Sequence, residues 1–264
     1  HALFEALSLR MRAEGHGAGW HGWPEEYRDP GSPAVAEFAD EHADEVAFHA
    51  WLQWLADEQL GAVQARARAA GMRIGLYLDL AVGDAPDGSA TWADQALLVT
   101  GASIGAPPDA FNVAGQDWGL SPLSPAVLRQ RKLQPYRQTL ADVLRRAGAL
   151  RIDHAMGLYQ LYFVPLGKSA VEGTYLRYPM QEMMRSLAEV SHDRGAVIVG
   201  EDLGTVPHGF RELIARVEIQ GYRVLYFERD DTGLLAPERY PRQALACLST
   251  HDLIPLRGWW SGDD

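Results

Sequence analysis

Cysteine is nearly absent from this 264-residue sequence, with Cys247 in ALACLSTHD the single example. That excludes an internal disulfide and a disulfide-built secreted scaffold, so a reducing compartment, the cytoplasm, is expected. Cys247 itself reads as a small core side chain on a strand. No run of about 18 apolar residues occurs, so no membrane-spanning helix is expected. Positive charge is also short: 24 Lys and Arg against 35 Asp and Glu leave a net charge of −11. The arginines are scattered, which excludes a nucleic-acid binder held by a basic face. Several signatures are missing too. No GxGxxG or GxxxxGK[ST] follows an expected strand, and no HxH, HExxH or CxxC offers a metal site. Asp153-His154 and His251-Asp252 come nearest to a metal-ligand set, and neither has that spacing. The chain starts at His1 without an initiator Met and stops just after Trp259-Trp260. Both ends read as cut, so a missing leader sequence carries little weight.

What is present is a βα rhythm. Residues 1–45 mix a short helical start with the loop GHGAGWHGWPEEYRDPGSP and more helix. From Asp44 a helical pattern runs through Trp51, Leu52, Leu55, Leu60 and Val63 to a stop at Gly71. The strand-like MRIGLYLDLAVG follows, then an unusually long connection from Asp84 to about Ser124, rich in Gly, Pro, Asp and Trp. Long ordered loops of this kind usually serve a site. Beyond it come a helix over 126–147, the strand ALRID, a loop, and a helix whose Met183, Met184, Leu187 and Val190 read as core packing. AVIVGED, a helix with Phe210, Leu213, Ile214 and Val217, YRVLYFE and ALACLSTHD complete the series. Five strands alternating with helices predict a parallel sheet, and without a phosphate-binding glycine turn a βα barrel is favoured over a doubly wound sheet.

Asp153, Glu201 and Asp252 each follow an apolar run, at the strand ends that meet at the mouth of such a barrel. Retaining glycosidic-bond chemistry needs this equipment: one carboxylate as nucleophile and one carboxyl as acid then base, about 5–5.5 Å apart. Arg151, two residues before Asp153 and so on the same strand face, would hold that carboxylate ionised and in place. Glu201 suits the acid/base role if burial keeps it protonated. Asp252, with His251, could bind sugar hydroxyls and favour a positively charged transition state. Asp202 should point away, while Trp118, Trp259 and Trp260 offer faces for sugar rings. On pattern alone, each carboxylate could equally be a helix cap or a solvated turn.

Six stretches sharpen this reading: GLYLDLAVG, GAPPDAFNVAGQDWGLSP, LRIDHAMGL, EGTYLRYP, GEDLGTVP and LSTHDL...LRGWW. In this order they resemble the 4-α-glucanotransferases, or amylomaltases, of glycoside hydrolase family 77 in the α-amylase clan. The resemblance covers the chain from about Trp20 onward; HDLIPL departs from the family's frequent His-Asp-Leu-Pro-Thr. It implies Asp153 as nucleophile, Glu201 as acid/base and Asp252 as transition-state stabiliser, with Arg151 and His251 as companions. The long loop with Asp109, Gln116 and Trp118 would overhang a glucan groove and shield the glycosyl-enzyme from water. The implied activity is transfer of α-1,4-glucan segments between maltooligosaccharides, without cofactor or metal. A retaining α-glucan hydrolase or a non-catalytic carbohydrate-binding segment are the alternatives, and oligomeric state is not legible. The implied fold is an incomplete (β/α)8 TIM barrel, about strands three to seven. Residues 1–45 would form a helical insertion region and 46–264 the partial barrel, including the active-site loop 84–124. Such an open piece is expected to be poorly active alone, because its sheet edges are exposed.

Overall fold

The computed structural model describes residues 1–109 and 112–262. Helices come first: α1 (Ala2–Ala13), α2 (Glu25–Arg28), α3 (Pro33–Glu41) and the long α4 (Ala43–Ala69). Ser32 starts α3 by accepting the Val35 N–H, with Pro33 in the first turn, where its missing N–H costs nothing. Phe4, Leu7, Met11, Trp23, Val35 and Phe38 form a separate cluster that also takes in Trp92 from far along the chain.

Then follow β1 (Tyr77–Leu80), α5 (Ser89–Ala93), β2 (Ala102–Ala106), β3 (Gln116–Leu120), α6 (Pro125–Gln130), α7 (Gln134–Val143) and β4 (Ala149–Ile152). The remainder comprises β5 (Gln160–Pro165), β6 (Thr174–Arg177), α8 (Met180–Arg194), β7 (Val197–Gly200), α9 (Phe210–Arg216), β8 (Gly221–Val224), β9 (Arg229–Asp230), β10 (Gly233–Leu234), β11 (Ala244–Cys247) and α10 (Leu256–Ser261).

The five expected strands all form and run parallel. β1, β4 and β7 make one ladder, β8 and β11 another, and a parallel bridge from Val199 to Gln220 joins them. Spatial order therefore equals chain order, β1-β4-β7-β8-β11, without the reversal that marks a doubly wound sheet. Among the described residues β1 and β11 do not pair with each other, so no closed barrel forms. Leu140, Leu144, Leu150 and Leu187 fill the space between the β4–β7 face and α7 and α8 at 0–2% exposure. Each such side chain contributes about 1.5–3 kcal/mol by leaving water. Met183 and Met184 belong to this core, as expected.

Three expectations need correction. The stretch from Asp84 to Ser124 is not one loop: it contains α5, β2 and β3, and the segment between β4 and α8 contains β5 and β6. These four strands pair antiparallel as β3-β2-β5-β6, a second sheet beside the parallel one. Ala110 and Phe111 of the expected loop lie outside the described residues. The 126–147 helix breaks in two, because Lys132 and Leu133 adopt left-handed backbone (φ 52° and 58°) and Pro135 can only restart a helix. Cys247 is half-buried rather than fully core. Among the described residues no helix is long and apolar enough to cross a membrane.

Candidate active site

Register brings the central carboxylates together. Ile152 pairs with Gly200, so the next residues, Asp153 and Glu201, leave neighbouring strands at the same level, where strands lie about 4.8 Å apart. The ladder extends into the site: the Asp153 N–H donates to Leu80 O at 3.0 Å, Glu201 N–H to Ile152 O at 3.0 Å, and Ala155 N–H to Glu201 O at 2.9 Å. Both carboxylates are thus mounted on paired backbone rather than on free loops.

Arg151 stands opposite Asp79 in the same ladder. Its Nη1 lies 2.8 Å from both Asp79 oxygens and 2.7 Å from Asp153 Oδ1, and its guanidinium sits over the Tyr222 ring at 5.7 Å. Burial alone would lower the Arg151 pKa. The Asp79 hydrogen bonds and the Asp153, Asp79 and Glu201 charges outweigh it and hold the guanidinium above its ordinary value. One permanently charged side chain therefore fixes two carboxylates, while its buried Nε has no hydrogen-bond partner.

Glu201 is 8% exposed. Its Oε2 accepts the His154 N–H at 3.0 Å and its Oε1 the Leu203 N–H at 2.7 Å. Burial raises its carboxyl above the usual range, opposed by the Leu203 bond, reinforced by the Asp153 charge, and opposed again by Arg151 and the His154 bond. His154 turns the chain in left-handed backbone (φ 45°) and packs edge-on to Trp118 at 5.3 Å. Burial, partly offset by Asp153, lowers its pKa and favours the neutral ring. Asp202 points away as expected. Fully buried, it accepts Arg211 Nε at 2.7 Å, the Tyr222 N–H at 2.7 Å and Arg223 Nη1 at 3.0 Å, tying β7 to β8 and α9.

Arg151, Asp153, Glu201 and Asp252 border one cleft of about 580 Å³, with Asp109, Gln116 and Trp118 on its far wall. Gln116 Oε1 accepts the Trp118 indole N–H at 2.9 Å, and Asp109 Oδ1 accepts the Asn112 N–H at 2.6 Å. The antiparallel sheet carries this wall and adds Tyr162 and Tyr175, edge to face at 5.1 Å; Phe227 lines the cleft as well. His251 does not border it: its ring is exposed, with Nε2 3.5 Å from Asp252 Oδ2. Trp259 stacks on Tyr226 at 4.8 Å and Trp260 is 81% exposed, so neither offers a face to the cleft.

Asp79, Tyr162, Tyr175 and Phe227 are absent from the sequence-based site. Asp79 had a signal, a lone acid inside the apolar run GLYLDLAVG, but its meaning depends on register with Arg151. The tyrosines lay in a segment taken as loop, although QLYFVP is an apolar strand-like run. The described residues hold no group of three or more His, Cys, Asp or Glu able to bind a metal ion.

A family model described as 4-alpha-glucanotransferase matches residues 1–264. A 4-alpha-glucanotransferase of Mycobacterium tuberculosis is 44% identical over 99% of this chain and 37% of its own length. One from Haemophilus influenzae is 39% identical over 98% and 38% respectively. The crystal structure of amylomaltase from Corynebacterium glutamicum superposes with a TM-score of 0.83 at 36% identity, over 99% of this chain and 35% of that one. This chain thus spans less than two fifths of the length of these relatives.

Proposed function

The chain belongs to the 4-alpha-glucanotransferase family, and on that premise we propose that it carries the catalytic centre for transferring α-1,4-glucan segments between maltooligosaccharides by a retaining double displacement. The observation that carries this reading is the placement of Asp153 and Glu201 at one level on adjacent parallel strands, with Arg151 on the first and burial favouring a proton on the second. Two carboxyl groups that leave neighbouring strands at one level suit the nucleophile and acid/base of a retaining mechanism.

In the first half-reaction an Asp153 oxygen bonds to the anomeric carbon while the glycosidic C–O bond breaks. Glu201 gives its proton to the departing sugar oxygen. In the second, Glu201 takes the proton from an acceptor 4-hydroxyl, whose oxygen displaces Asp153 and restores the α-linkage. Arg151 holds Asp153 on line. Asp252 offsets the positive charge that develops at the ring, with His251 beside it, and Asp109, Gln116 and Trp118 contact the glucan. The antiparallel sheet overhanging the cleft limits water, so that an acceptor sugar can compete for the glycosyl-enzyme. No step calls for a cofactor or a metal.

We read the ordered five-strand arc as part of a (β/α)8 barrel, with residues 1–45 as a helical insertion beside it and 46–264 as the partial barrel. The cytoplasm fits the lone Cys247. The experiment is chromatography of products after maltotriose meets a protein of the relatives' length that carries this chain. Glucose plus a ladder of longer maltooligosaccharides supports the proposal; maltose and glucose alone would make it a hydrolase.

A further inference from the structure

A second cavity, of about 280 Å³, lies behind the catalytic strand ends. Leu80 and Ile152 border it, whereas Asp79 and Arg151, one residue earlier on the same strands, serve the opposite face. Leu97, Leu98, Leu123, Leu158, Leu161 and Met183 add apolar side chains to its wall, which also carries Asp84 and Thr139. This lining differs in kind from the polar and aromatic cleft. Val82, Asp153 and His154 border both spaces, so they form the partition between them.

One feature of the wall is unexplained by packing. Tyr136 borders this cavity at 6% exposure, and its hydroxyl has no hydrogen-bond partner. Tyr178, on the same wall, satisfies its own hydroxyl by donating to Leu123 O at 2.5 Å. A buried hydroxyl facing an apolar wall is costly unless something accepts its proton. Burial also pushes the Tyr136 phenol upward, so it remains a donor. At the rim, burial raises the Asp84 carboxyl, so this wall resists charge and favours an uncharged guest.

We propose that this cavity is a second binding site, for a small, uncharged, mostly apolar molecule carrying one hydrogen-bond acceptor, such as an aromatic alcohol, anchored by the Tyr136 hydroxyl. An apolar cavity of roughly 150 Å³ holds benzene, so this one accommodates a substituted ring. A guest there rests against Val82, Asp153 and His154, the residues that this cavity shares with the cleft. Occupancy itself does not depend on the reaction assigned to that cleft.

The test is a ligand-observed NMR titration of the purified protein with benzyl alcohol and with toluene, repeated on Tyr136→Phe, Leu98→Trp and Tyr175→Ala. Tyr136→Phe keeps the ring and removes only the unpaired hydroxyl, so the fold is retained. Benzyl alcohol is expected to bind at one site and to weaken about tenfold in Tyr136→Phe, while toluene binding stays unchanged. Leu98→Trp, which fills the cavity, removes both. Tyr175→Ala, which alters only the cleft, changes neither. Equal benzyl alcohol affinity in wild type and Tyr136→Phe would overturn the proposal, as would loss of binding in Tyr175→Ala. Failure of both compounds to bind would overturn it as well.

Discussion

Glu201 leaves the middle of the strand arc and Asp252 its edge, and the two carboxylates end in different surroundings. β7 has paired neighbours on both sides, so Glu201 is flanked by backbone whose His154 and Leu203 N–H groups it accepts, and it is 8% exposed. β11 pairs only with β8 among the described residues, and the Asp252 side chain is 70% exposed, with His251 Nε2 3.5 Å from its Oδ2. The same sequence pattern, a carboxylate after an apolar strand, therefore yields a preorganised group in one place and a solvated one in the other. Preorganisation comes from the neighbouring strands, not from the residue.

The largest expected effect lies at the centre of the arc. In a protein of the relatives' length, Asp153→Asn should lower transfer from maltotriose at least about a thousandfold, measured as product formed per enzyme, because it removes the proposed nucleophile. Glu201→Gln should cost a comparable factor with maltotriose but much less in the initial burst of fluoride released from α-maltosyl fluoride, whose leaving group needs no proton. Equal losses on both donors would remove Glu201 from the acid role.

Asp202 sharpens the contrast through stability. Asp202→Ala leaves Arg223 and Arg211 without their buried partner and should destabilise by about 3–5 kcal/mol in urea melts. The pH dependence follows from the raised Glu201 carboxyl. Because the fold favours its protonated form, that contribution to stability is present at low pH and is lost as pH rises from the ordinary carboxylate range through the raised value. The alkaline limb of kcat/KM should fall with the same deprotonation, and maltosyl fluoride should lack that limb for the glycosylation step. Smallest of all, Asp252→Asn should leave Tm within about 2 °C while reducing transfer, since an exposed side chain holds little of the fold. A large drop in Tm would mean that Asp252 is structural.

The parallel arc was legible because each of its strands is an apolar run closed by a charged residue, the pattern of a strand buried on both faces. The antiparallel sheet was not. β6 is exposed along its whole length, β3 carries Gln116 and Asp117 in the open, and β2 is built from small residues, so none shows a clean alternation. Their pairing is a tertiary fact, set by β5 between β2 and β6. At the site, Arg151 with Asp153 could be read from a spacing of two, whereas Asp79 required the register of β1 against β4. His251, Trp259 and Trp260 do not border the cleft for a related reason: proximity to Asp252 in sequence does not fix which side chains face it.

The most direct test of the central claim is mass spectrometry of the Glu201→Gln protein after brief exposure to α-maltosyl fluoride. Without its acid/base the second half-reaction slows, so the glycosyl-enzyme should accumulate. The account predicts a maltosyl unit on the peptide that contains Asp153, absent when Asp153 is also changed to Asn. The same adduct on another residue, or donor turnover with inversion at the anomeric carbon and no adduct, would contradict it.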